Sequence, residues 1–192
     1  MVQNLAADVQ AFTSNVFLVE GERTVLVDPG ANFDVVSALR ETVAALDAVV
    51  VTHTHPDHVE NARAVTNAFD VETWGFDVDH PAIDEDLGDG ETVRIGDHDY
   101  VALHTPGHRD DHLCLYAADA ATLFAGDLVF AGGGFGRTDL EEGHRPTLVE
   151  SIEYVLETVD DGLDAMHCGH GPSVTEDPLG DVELALEMAR TR

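Results

Sequence analysis

The stretch "AVVVTHTHPDHVENA", residues 48–62, runs from apolar strand material into His53, His55, Asp57 and His58. Imidazole and carboxylate groups are good ligands for zinc and similar first-row metals. Two histidines at i and i+2 on a loop can converge on one ion, unlike the i, i+4 helical pair of zinc proteases. Asp57 and His58 then fall close enough to serve a second ion. Three later segments end apolar runs in groups of the same chemistry: "LHTPGH" delivers His108 after a Pro-Gly turn, "LFAGD" delivers Asp127, and "HCGHGP" delivers His170. Strand ends on one edge of a sheet point their loops to the same side, so segments distant in sequence can build one site. The competing explanation, a turn of surface polar residues, fits so dense a run poorly.

Periodicity and turn chemistry predict the elements that would position these groups. "SNVFLVEGERTVLVDPG" reads as two strands joined by a turn at Glu20–Glu22 and closed by Asp28-Pro29-Gly30. "FDVVSALRETVAAL" has helical apolar spacing, "DAVVVTH" is a short buried strand, a helix is expected over residues 58–68, and "VETWGF" reads as a further strand. "HPAIDEDLGDG" reads as an acidic loop. From Glu91 onward, "ETVRIGDHDYVALHT", "HLCLYAAD" and "ATLFAGD" suggest three or four strands meeting in turns. "FAGGGFGRTDLEEGH" is a Gly-rich loop, and "RPTLVESIEYVLETV" is a helix with Pro146 near its first turn. "LDAMHCGHGP" returns as strand and loop, and "PLGDVELALEMARTR" closes as an amphipathic helix. Strands and helices mixed in both halves predict α/β layers, with sheet in the centre and helices outside. The 192 residues suit one domain, 1–192.

Composition narrows the setting. There are 38 acidic residues against nine basic ones, all arginine, giving a formal net charge of −29. Such a charge opposes compaction, but at 1 M salt the screening length falls to about 3 Å. The composition therefore fits a salt-rich cytosol, as in extreme halophiles; the rival reading is an acidic interaction surface. Acids spread along the whole chain suit the first better than a single tail would. Scattered arginines and absent lysine argue against a nucleic-acid partner. No run of 18 apolar residues predicts a membrane span, and the N-terminus has neither a basic start nor an apolar signal core. The cytoplasm is the expected compartment. Cys114 and Cys168 are expected as free thiols, Cys114 in the core and Cys168 with a metal or redox role left open.

The sequence resembles the metallo-β-lactamase-fold hydrolases. The family motif HxHxDH is matched by His53, His55, Asp57 and His58, and its later ligands by His108, Asp127 and His170, in the family's order. The resemblance covers nearly the whole chain from the "VDPG" turn. It implies a four-layer αββα sandwich of two mixed β-sheets with helices outside. It implies two divalent metal ions, zinc foremost with iron or manganese as alternatives. His53, His55 and His108 would hold the first, Asp57, His58 and His170 the second, and Asp127 would bridge. Such ions make hydroxide from bound water near neutral pH and stabilise a developing oxyanion; Asp57 would also orient the nucleophile.

Within the family, "TPGH", "FAGD", "FGRTDLEEG" and "GHGP" most resemble the glyoxalase II-like branch, which implies hydrolysis of a small-molecule thioester or related activated ester. The chain ends about 20 residues after His170, so the branch's C-terminal helical thiol-binding domain is not expected. Arg137 is the candidate for gripping a substrate carboxylate, with an internal salt bridge as its alternative. The common Gly after HxHxDH is Glu60 here. Asp110 and Asp111 stand near the predicted site, either as surface acids or as groups that disfavour an anionic substrate. The alternative function is a mononuclear iron persulfide dioxygenase using His53, His108 and Asp127; a lactonase and a non-catalytic metal-binding protein are further alternatives. His80, His98, His104, His112 and His144 match no motif position. His167 is expected in the core or beside the site. Asp28 is expected to be structural or to support a ligating histidine.

Overall fold

The computed structural model describes residues 1–191. One six-stranded sheet takes its strands in chain order: β1 (Val2–Asn4), β2 (Phe17–Val19), β3 (Val25–Val27), β4 (Ala48–Val50), β5 (Thr73–Gly75) and β6 (Glu85–Asp86). The first two pairings are antiparallel and the remaining three parallel. A second sheet is built from β7 (Thr92–Ile95), β8 (His98–His104), β9 (Leu113–Ala117), β10 (Thr122–Gly126) and β13 (Ala165–Cys168). Its strand order is β13-β10-β9-β8-β7, with only β10 and β13 parallel.

Residue alternation decides which side each strand face takes. Phe17, Val19, Val25, Val27, Ala48 and Val50 turn inward to meet Leu113, Leu115 and Phe124 of the second sheet. Their neighbours Leu18, Leu26, Val49 and Val51 turn outward onto α1 (Val35–Thr42) and α3 (Ala62–Phe69). On the far side, Leu103, Cys114 and Leu123 pack under α4 (Arg145–Thr158) and α5 (Pro178–Thr191). A strand covered on both faces needs apolar residues throughout, which is why "VLV" and "AVV" are continuous runs. The layers are α, β, β, α, as the resemblance implied.

Three local expectations change. The helix expected over 58–68 is two: α2 (Pro56–Val59) and α3. Between them Asn61 is drawn to the neighbouring turn, its N–H donating to the Gly30 carbonyl and its side chain to those of Pro29 and Phe33. The acidic loop contains the short edge strand β6. The Gly-rich loop folds into a ribbon of β11 (Val129–Phe130) and β12 (Gly134–Phe135), turned by Gly132 at φ 71°. β1 was invisible to periodicity because "VQN" has one largely exposed face and little apolar content. Among the described residues, no helix is long and apolar enough to cross a membrane.

Candidate metal centre

Chain direction puts five strand ends on one edge. β3 leads into Asp28, β4 into His53–His58, β8 into His108, β10 into Asp127 and β13 into His170. All seven expected ligands meet there. His53, His55 and His108 form one group whose ligand atoms lie within 4.8 Å of one another, and Asp57, His58 and His170 form another. Asp127 stands between them: Oδ1 is 3.4 Å from His58 Nε2, while Oδ2 is 3.4 Å from His108 Nε2 and 3.6 Å from His170 Nε2. Close approach is secured by Gly169, where a Cβ would lie 2.1 Å from Asp127 Oδ1.

The surroundings fix which imidazole nitrogens face inward. His108 Nδ1 donates to the Arg137 carbonyl at 2.8 Å, an oxygen that can only accept, so its Nε2 carries a lone pair. Thr52 donates its N–H and hydroxyl to Asp28 and so accepts from His53 Nδ1 at 3.1 Å, which again leaves Nε2 bare. Both Nε2 atoms lie 3.0 Å from His55 Nδ1. Three nitrogens converge with at most one proton among them. His58 Nδ1 donates to Asp28 at 2.9 Å, while its buried Nε2 and Asp127 Oδ1 make no hydrogen bond at all. Buried polar atoms are ordinarily paired, and a cation on each group would supply the missing partner. The donor set fits a pair of divalent ions.

Electrostatics separate the two groups. Burial, reinforced by neighbouring imidazoles, pushes His53 well below the ordinary histidine range and His55 down to about 4. Burial also lowers His108. These rings are neutral at pH 7, ready to donate lone pairs. His58 goes the other way: burial opposes its charge, but Asp28 and Asp127 outweigh it and raise the ring to about 10. Burial resists ionisation of Asp127 and Asp57 as well, yet His58 acting on the first, and the His170 hydrogen bond with His58 on the second, hold both below the usual carboxylate range.

The remaining expectations sort by contact. Asp28 braces Thr52 and His58, and so supports a ligating histidine. Arg137 lines the cavity over the cluster, but its Nε and Nη2 both donate to Asp139 at 2.9 Å. Asp111 is no surface acid: it is 6% exposed, accepts from the Thr54 N–H and pairs with Arg109, which steadies the histidine loop. Asp110 stays on the surface. Glu60 has φ −57°, a conformation that asks for no glycine. Cys168 and Cys114 are buried free thiols, pushed up to about 12 by burial, and neither belongs to a ligand group among the described residues. His167 packs on Phe17 and Phe124 in the core. His112, which matches no motif position, nonetheless supports the site: fully buried, it accepts the Asp127 N–H on Nε2 at 2.9 Å and donates Nδ1 to Thr105. A histidine heading the apolar run "LCLYA", on a strand that starts where β8 ends, was the available signal.

The cavity over the cluster encloses about 440 Å³, within the range of small-molecule sites. A larger one, about 600 Å³, is walled by α4 and α5 side chains and touches none of the seven.

Residues 9–176 match the model of the metallo-beta-lactamase superfamily. Hydroxyacylglutathione hydrolase GloC of Haemophilus influenzae is 29% identical over 192 aligned positions, covering 87% of this chain and 90% of that protein. The crystal structure of TTHA1623 in a di-iron-bound form superposes with a TM-score of 0.75 at 27% identity, covering 98% of this chain and 96% of the other. That of ETHE1 from Myxococcus xanthus gives 0.76 at 23% identity, covering 100% and 90%, a likeness of fold.

Proposed function

This chain belongs to the metallo-beta-lactamase superfamily, and on that premise we propose that it hydrolyses a thioester or related activated ester. His53, His55 and His108 would hold one divalent ion and Asp57, His58 and His170 a second, with Asp127 placed between the two groups to serve both. The observation that carries this is the convergence of seven imidazole and carboxylate groups on one strand edge, with His58 Nε2 and Asp127 Oδ1 buried there without a hydrogen-bond partner. When bound, two such ions would lower the pKa of a bound water towards 7 and polarise a carbonyl. Zinc, iron and manganese all accept imidazole and carboxylate ligands; the name of the GloC relative supports the thioester class.

The chain's own groups do the rest. Asp57 faces the cavity as an ionised carboxylate and orients the attacking water by accepting its hydrogen bond. Asp28, Thr52 and the Arg137 carbonyl hold the imidazoles in the tautomers that point lone pairs inward. His112 fixes the backbone of Asp127. The cavity's apolar walls limit water around the scissile carbonyl.

Elemental analysis and assay of one sample test the reading. Two ions per chain with thioester cleavage support it. One iron per chain with oxygen consumption on a persulfide would replace it with the oxygenase, and inertness of the fully loaded protein on thioesters, lactones and persulfides would make it a metal-binding protein only.

A further inference from the structure

The cavity over the cluster is apolar where it meets solvent. Phe12 and Leu140 stand 73% and 38% exposed at its rim, and Pro56 and Phe130 extend its walls. Large apolar side chains left open beside a polar cluster mark a surface that expects an apolar occupant. Phe12 also lies over His170, ring centroids 5.9 Å apart and 18° from parallel, so the apolar surface begins directly at the candidate ligands.

Beyond the metal cluster itself, the charged side chains described around this cavity offer no reception for an anion. Among the described residues Arg137 is the only arginine lining this cavity, and its Nε and Nη2 already hold the two oxygens of Asp139 in a bidentate pair, the grip a guanidinium would otherwise give a ligand carboxylate. In a separate cavity, lined by the residue next to His108, Arg109 is engaged by Asp111 at 3.1 Å and Glu142 at 3.2 Å, and Asp77 and Asp110 add further acids there. The loop after Arg137 reads "TDLEEG": it presents acids and one exposed leucine. Both arginines are neutralised from within.

Resting on the hydrolase reading above, we infer that the substrate is a thioester with uncharged acyl and thiol parts, one carrying an apolar chain that packs on Phe12 and Leu140. A thioester of an anionic thiol such as glutathione is the poorer substrate, although the GloC relative is named for it.

The metal-loaded protein is titrated calorimetrically with two inert thioethers of equal chain length, S-hexyl-N-acetylcysteamine and S-hexylglutathione, and assayed with the hexanoyl thioesters of the same two thiols. The neutral compounds bind and turn over about tenfold better or more, and a preference persists at about 1 M salt, where long-range repulsion from the net charge is screened. Asp139→Asn releases Arg137 and tightens S-hexylglutathione about fivefold, with no gain for the neutral thioether. Phe12→Ala weakens the neutral thioether by about tenfold, the loss of one aromatic contact surface. Equal or better binding and turnover of the glutathione compounds overturns the inference and leaves the hydrolase reading standing. A preference that vanishes in high salt also overturns it, because net charge alone then explains the result. Failure to cleave either thioester removes the hydrolase reading, and the inference with it.

Discussion

The two halves of the candidate metal centre are built from similar side chains and arrive at different electrical states. The group of His53, His55 and His108 is three neutral imidazoles, depressed by burial and by one another. The group of Asp57, His58 and His170 contains a histidine held protonated between two carboxylates. The first half waits with lone pairs, and the second already holds a positive charge that an incoming ion must displace. Ligand type alone therefore does not set readiness for metal; the charges packed against the ligand do.

Removing the group the halves share tests the comparison most severely. Asp127→Ala, and separately His55→Ala, should lower turnover by about a thousandfold or more. Asp127→Ala should also reduce bound metal below two ions per chain by elemental analysis, with the far-ultraviolet circular dichroism unchanged. Full activity in either variant removes the site. A smaller effect should come from the brace behind both halves: Asp28→Asn, which unseats His58 directly and His53 only through Thr52, should weaken the second ion by about 10- to 100-fold and the first by less, read by competition with a chromophoric chelator.

Proton counting sharpens the difference. At pH 7.5 His58 contributes about one proton released as the second ion binds, while the three-histidine group releases about none; calorimetry in buffers of different ionisation enthalpy measures both. Equal release from the two halves would contradict the contrast. The metal-free chain should show the same opposition in its stability. His58, raised to about 10, stabilises fully below pH 6.5, and this is lost as pH rises through 10. His55, lowered to about 4, stabilises above pH 6.5, and this is lost as pH falls through 4. Urea midpoints from pH 4 to 10.5 should decline at both ends. The smallest effect lies outside both halves: Cys168→Ala should cost about 1 kcal/mol of stability and leave metal content unchanged.

The seven candidate ligands were legible because each follows an apolar run that reads as a strand, and strand ends collect on an edge. The layering was legible too, since "VLV", "AVV" and "LFAG" are too apolar for any surface. What supports the ligands was not. Asp28 and His58 are 30 positions apart, Asp111 and Thr54 57 apart, and no local pattern pairs them. Asn61 broke an expected helix through partners about 30 positions back.

Sequence by itself determined the ligand inventory, the order of elements and the apolar alternation that forces two sheets together, because these depend on residue type and local spacing. Only the tertiary structure decided which imidazole carries charge, which nitrogen faces inward and whether Arg137 is free to hold an anion. Those properties come from Coulomb and hydrogen-bond interactions over a few ångströms between groups far apart in the chain, a distance that folding alone sets.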